Sequence, residues 1–211
     1  RRQRQMCIRD RKYMSNHKII KAIEESKSGL DKFLNNEVLI GDVQKASELI
    51  VKTISEDSKI FSCGNGGSMC DAMHFAEELS GRFRENRRGL PAISISDPSY
   101  LTCVANDFGF ENVFSRFMEA NSKKGDLLLA ISTSGGSKNI IKVCEYCINN
   151  DIKVITLTGK EKSEVSNYSD IDICTPNGNY SDRVQEMHTL VMHIIVEVCL
   201  LYTSPSPRDD R

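Results

Sequence analysis

Apolar residues recur at two different periods along the chain, and the switch between them outlines the fold. Across residues 19–34 and again across 38–54, apolar positions return every three or four residues, as in Val43, Ala46, Leu49, Ile50 and Ile54. That spacing gathers them on one face of a helix. The period then changes. Lys59-Ile60-Phe61-Ser62-Cys63 is a compact apolar run closed by Gly64, the pattern of a strand followed by a turn. Three similar runs follow at 91–95, 126–131 and 153–157, with a weaker fifth at 171–174. Helical patterns separate them at 68–83, 112–121 and 138–150, and a long apolar, periodic stretch covers 182–201. Leu127-Leu128-Leu129-Ala130-Ile131 has no polar alternation, as expected of a strand covered on both faces. Short strands alternating with helices predict an α/β fold, a three-layer α/β/α sandwich around a central parallel sheet, entered through an N-terminal helical hairpin. No internal repeat or linker divides it.

Both ends depart from this pattern. RRQRQMCIRDRKY is mostly charged before Met14, and LYTSPSPRDDR breaks an apolar helix with Ser-Pro repeats. Residues 1–13 and 202–211 are therefore expected to be artefactual or disordered tails, leaving 14–201 as a single domain. The chain has 211 residues, 39% of them apolar, and 28 Lys plus Arg nearly cancel 29 Asp plus Glu. That balance leaves no basic footprint for nucleic acid or an anionic membrane. No apolar run is expected to reach the roughly 20 residues of a membrane span, and no signal-peptide pattern is seen, so a cytoplasmic protein is expected. Eight cysteines in such a chain read as reduced thiols. Cys144 and Cys147 form a lone CxxC inside a helical pattern, where packed cysteines are expected in preference to a zinc or redox motif.

Two strand-to-helix turns carry unusual chemistry. Gly64-Asn65-Gly66-Gly67-Ser68 follows the first strand, and its glycines permit positive φ and close approach of a ligand to the backbone. Ser132-Thr133-Ser134-Gly135-Gly136-Ser137 follows the third, offering four hydroxyls and backbone N–H groups just before a helix N-terminus, where an anion is favoured. Neither is a nucleotide motif: GxxxxGK[ST] is absent, and GNGGS lacks the third glycine of GxGxxG. A hydroxyl-lined cradle with no lysine suits a small phosphate monoester. One such loop alone would usually be only a turn and a helix cap. Two at successive strand ends of one sheet favour binding.

Further candidates lie on helices. His74 and Glu78 are four apart and share a helix face, so they can join in metal binding or proton transfer, although solvated pairs at this spacing are common. Glu77 points about 100° away and is expected in solvent. The last helix carries Gln185, His188 and His193 in an apolar stretch, with Gln185 and His193 about two turns apart. An imidazole there could equally be a core residue, and spacing does not choose between His188 and His193.

At these residues the chain resembles the phosphoheptose isomerases of the sugar isomerase (SIS) domain superfamily. The resemblance runs from about Ile19 to Leu201 and is densest in CGNGGSMCDAMHFAEELSGRFRENR, TCVANDFGFENVFSRF, GDLLLAISTSGGSKNIIK, KVITLTGK and DRVQEMHTLVMH. It implies a substrate pocket of Asn65, Gly66, Gly67, Glu78, Asn106, Asp107, Ser132, Thr133, Ser134, Ser137 and Gln185. It implies one zinc ion per subunit held by His74, Glu78, Gln185 and His193, and thereby selects His193 over His188. Gly136 stands where Asn is more usual in the family, and Met69 where His is common. The implied reaction interconverts sedoheptulose 7-phosphate and D-glycero-D-manno-heptose 7-phosphate through an enediol, the first step of ADP- or GDP-heptose biosynthesis. Glu78 would be the base and His193 its acid/base partner in a homotetramer with shared sites. The competing reading is a non-catalytic SIS-domain protein of the replication-initiator-associating type; that branch tends to lose the acid and imidazole that Glu78 and His193 supply here.

Overall fold

Apolar runs too short for helices become strands here because each is flanked by a glycine, proline or polar turn and can be covered on both faces. The computed structural model describes residues 2–175 and 180–203, with side chains from Met14 onward. Its strands are β1 (Ile60–Gly64), β2 (Ala92–Ser94), β3 (Leu127–Ser132), β4 (Lys153–Thr158) and β5 (Ile171–Cys174). They form one all-parallel sheet in the order β2-β1-β3-β4-β5. The helices are α1 (Arg2–Leu34), α2 (Glu37–Ser55), α3 (Gly67–Ser80), α4 (Pro98–Phe108), α5 (Val113–Asn121), α6 (Lys138–Asn149) and α7 (Ser181–Thr203).

Side-chain alternation in β3 divides the core. Leu127, Leu129 and Ile131 join Leu39, Val43 and Ile50 of α2, Phe75 and Leu79 of α3, and Val191 and Ile195 of α7. Leu128 and Ala130 face the other way, onto Val104 of α4, Phe114 and Met118 of α5, and Ile140, Val143, Cys144 and Cys147 of α6. Three layers result, as the periodicity predicts, with α1 packed outside on α2 and α7. The CxxC cysteines are free thiols with no exposed surface, and burial pushes Cys147 up to about 12.

Several details differ from the sequence reading. α4 was not expected; Asp97 caps it, accepting from the Tyr100 N–H at 2.7 Å, and Pro98 occupies its first turn. α1 begins at Arg2, and residues 204–211 of the C-terminal tail lie outside the described residues. α7 corrects the expectation that no apolar run is long enough to span a membrane: its length and mean hydropathy of 1.4 would suffice. It is instead a core helix, with Val191, Ile195, Val196 and Cys199 fully buried against α2 and α3.

The order β2-β1-β3 makes the chain reverse direction across the sheet between β1 and β3. Ligands of open parallel sheets bind in the crevice at such a switch point, beyond the carboxyl ends of the strands. Gly64 is paired with Ile131 in the register, so both glycine-rich loops leave the sheet side by side at that point.

Candidate active site

The loop after β3 is shaped by its own backbone bonds. Gly135 has φ +63°, and its N–H donates to the Ser132 carbonyl at 3.1 Å. A Cβ at Gly135 would fall 2.2 Å from Cβ of Ser163, so this position needs glycine both for its dihedral and for the close approach of its neighbour. The turn brings Ser132 Oγ within 3.5 Å of Ser137 Oγ. Ser137 is the N-cap of α6 and its side chain makes no cap bond, leaving its hydroxyl free to meet a ligand. Thr133 is half-buried and Ser134 exposed at the loop's rim. The Ser132 and Ser137 hydroxyls thus meet at the N-terminus of α6, a setting that stabilises an anion.

The loop after β1 is tied to its neighbour. Asn65 Nδ2 donates to Asn139 Oδ1 at 2.9 Å, and Asn139 Nδ2 donates back to Asn65 Oδ1 at 2.8 Å. This reciprocal amide pair locks the two loops together across the switch point. Asn139 is buried in the first turn of α6 and was not a sequence candidate; its position two residues past the Ser-rich loop was the available signal. Of the three glycines in GNGGS only Gly66 uses a positive φ, 56°.

α3 and α7 lie side by side and run parallel, and their contacts advance together along both helices. Gln185 seats its amide on the first residue of α3, so close that a Cβ at Gly67 would be 2.7 Å from both its Nε2 and Oε1. One turn on, Thr189 Oγ1 donates to Asp71 Oδ1 at 3.0 Å. At the next contact His74 Nε2 is 3.2 Å and His193 Nε2 3.5 Å from the same oxygen, Glu78 Oε1. Beyond the end of α3, Arg84 forms a bidentate pair with Glu197. Burial raises the Asp71 carboxyl above the usual carboxylate range, opposed by the Thr189 hydrogen bond. Arg87 holds the end of α3 from below, donating to the carbonyls of Glu78 and Leu79. Asp71, Arg87 and Thr189 also escaped the sequence reading, because their roles depend on contacts between elements.

Of the sequence candidates, the structure brings together His74, Glu78 and His193. Their ligand atoms lie within 4.8 Å of one another, so two imidazoles and one carboxylate could hold a metal ion. Each histidine keeps 40% of its side chain exposed while Glu78 keeps 13%, which leaves the cluster open on one side. Glu77 is two-thirds exposed, as its helical position predicts. His188 is the core histidine, with no exposed surface. Gln185 sits at the start of the α3–α7 contact, about 10 Å along α3 from His74 by helix rise. Asn106 and Asp107 are exposed near the end of α4, where Asn106 Nδ2 donates to Asp107 Oδ1 at 2.7 Å. A cleft of about 800 Å³, lined by Lys59, Arg87, Pro91 and Tyr202, opens at the amino ends of the strands, away from the two loops.

Comparison with known proteins identifies the family. A family model described as "SIS domain" matches residues 18–159, ending just after β4 and before the helix that carries His193. A phosphoheptose isomerase of Photorhabdus laumondii is 52% identical over 176 residues, 83% of this chain and 91% of that protein. One from Edwardsiella ictaluri is 51% identical over the same extents. Among solved structures, the phosphoheptose isomerase of Francisella tularensis superposes with a TM-score of 0.83 at 32% identity, covering 88% of this chain and 97% of that one. The Neisseria gonorrhoeae enzyme gives 0.81 at 32%, covering 87% and 97%.

Proposed function

The chain belongs to the SIS-domain family, among the phosphoheptose isomerases, and we propose that it converts sedoheptulose 7-phosphate into D-glycero-D-manno-heptose 7-phosphate. The observation that carries the site assignment is the meeting of His74 and His193 on one oxygen of Glu78, where α3 and α7 lie side by side.

Moving the carbonyl from C2 to C1 requires a base that removes a proton from C1 and returns it at C2, and an acid that manages the oxygens. Glu78 is the base. A carboxylate 13% exposed on a helix face, with its last-turn carbonyls clamped by Arg87, is held in place for a proton that moves only a short way. His193, 3.5 Å away, exchanges a proton with the substrate oxygens as the enediol forms and collapses. Ser132, Thr133, Ser134 and Ser137 are assigned to the phosphate, and Asn65, Gly66 and Gly67 to the substrate beside it. Asn106 and Asp107 are assigned to the sugar hydroxyls.

His74, Glu78 and His193 suit zinc, whose catalytic sites use nitrogen and carboxylate ligands and keep positions open. Gln185 is proposed as the fourth ligand; its seat at Gly67 fits its expected role toward the substrate more directly. Zinc bound there would act as a Lewis acid toward substrate oxygens. We further propose a cytoplasmic homotetramer. Ile19, Ile20 and Ile23 of α1 are 56%, 54% and 64% exposed, an apolar stripe that a second copy would cover.

The test is to incubate the purified protein with sedoheptulose 7-phosphate and follow the aldose product. Formation of the heptose 7-phosphate supports the reading. Binding of the sugar phosphate without turnover would instead favour a non-catalytic member of the family.

A further inference from the structure

His188 takes no part in the chemistry proposed above, yet it is a polar side chain with no exposed surface. Its Nε2 lies 3.1 Å from the carbonyl of Thr158, the last residue of β4, and its Nδ1 is buried without a partner among the described residues. A carbonyl can only accept, so the ring must carry its proton on Nε2. Burial pushes this imidazole down to about 4, with the Thr158 carbonyl pulling the other way, so the ring is neutral near pH 7.

The acceptor's position gives this bond its importance. Gly159, the next residue, donates its N–H to the Thr133 carbonyl in the phosphate loop at 3.1 Å. Val184, one turn before His188, packs so tightly that a Cβ at Gly159 would fall 2.5 Å from its Cγ1. The face of α7 carrying Val184 and His188 is thus keyed to the end of β4 and, through Gly159, to the phosphate loop. The neighbouring face of the same turns carries Gln185, Thr189 and His193 along α3. A helix held on one face by packing alone can slide or turn, whereas a hydrogen bond to a fixed strand end sets both its rotation and its height.

We propose that His188 is a positioning residue, whose Nε2–H bond to the Thr158 carbonyl fixes α7 on the end of β4 and so holds His193 at Glu78 in register with the phosphate loop. This rests on the reading of His193 as the partner of Glu78.

The test compares three variants at a temperature where circular dichroism shows each to be folded. A glutamine amide can reach the place of imidazole Nε2, whereas an asparagine amide is too short and leucine offers no donor. His188→Gln should keep kcat within about threefold of wild type. His188→Asn and His188→Leu should lose roughly 30-fold in kcat with KM for sedoheptulose 7-phosphate little changed, as expected when a reacting group shifts by a fraction of an ångström. In parallel, ¹⁵N NMR of the histidine rings, assigned by the loss of one signal in His188→Gln, should show His188 protonated on Nε2. Folded His188→Leu with wild-type kcat, Gln no better than Leu, or a ring protonated on Nδ1 would each overturn the proposal. A fully active His193→Asn would instead sink the underlying assignment of His193 and leave the His188 geometry standing.

Discussion

Glu78 of α3 and His193 of α7 meet at 3.5 Å although 115 positions separate them in the chain. They meet because the two helices run parallel from a shared starting point, where Gln185 is seated on Gly67, and advance in step through Thr189 and Asp71. If that pairing serves proton transfer, His193→Asn should lower kcat by about 10²- to 10⁴-fold while leaving KM within a few-fold. Steady-state kinetics on sedoheptulose 7-phosphate checks this, and a loss confined to KM would assign His193 to binding instead.

The cluster of His74, Glu78 and His193 should hold zinc in the isolated protein. Elemental analysis of freshly purified protein is expected to find close to one zinc per chain, and His74→Ala should reduce that content sharply. Metal content unchanged in His74→Ala would place any zinc elsewhere.

Gly135 is the residue of the phosphate loop least able to accept a side chain, since it combines φ +63° with the near contact of Ser163. Gly135→Ala should destabilise the fold by about 1–3 kcal/mol and raise KM roughly tenfold or more. Urea unfolding and kinetics measure the two effects separately. A stable variant with unaltered KM would show that the loop does not grip the phosphate.

Stability should depend on pH through His188. The ring titrates near 6.5 in the unfolded chain and about 4 in the folded one. Below pH 6.5 the unfolded state therefore binds a proton that the folded state refuses. This contribution is intact above pH 6.5 and is lost as pH falls toward 4, by roughly 3 kcal/mol in all. Urea midpoints at pH 7.5 and 4.5 should fall further apart in wild type than in His188→Gln. Equal separations would contradict the buried, neutral ring.

The sheet was largely legible in the sequence. Each of the five strands falls within one or two residues of its expected run, because continuous apolar segments such as 127–131 leave little choice between buried strand and solvent. The parallel arrangement followed from the alternation with helices, and the two loops stood out by their glycines and hydroxyls. α4 was overlooked although Asp97-Pro98 carries a helix-start signal, since its apolar face is narrow and only Val104 is buried. Spacing also could not separate His188 from His193. Both lie among apolar neighbours on α7, and what distinguishes them is which element each meets: the end of β4 for one, α3 for the other. The family resemblance chose His193, and in the structure that ring lies 3.5 Å from Glu78 Oε1. The pairing of Asn139 with Asn65 was illegible for the same cause, since 74 positions separate the two.

The central claim is that Glu78 is the base of a heptose phosphate isomerase, and Glu78→Gln tests it most directly. Proton NMR of sedoheptulose 7-phosphate should show the wild-type protein forming the aldose and the variant slower by about a thousandfold or more, while calorimetry shows the variant still binding the sugar phosphate. Turnover by Glu78→Gln at or near the wild-type rate would contradict the account.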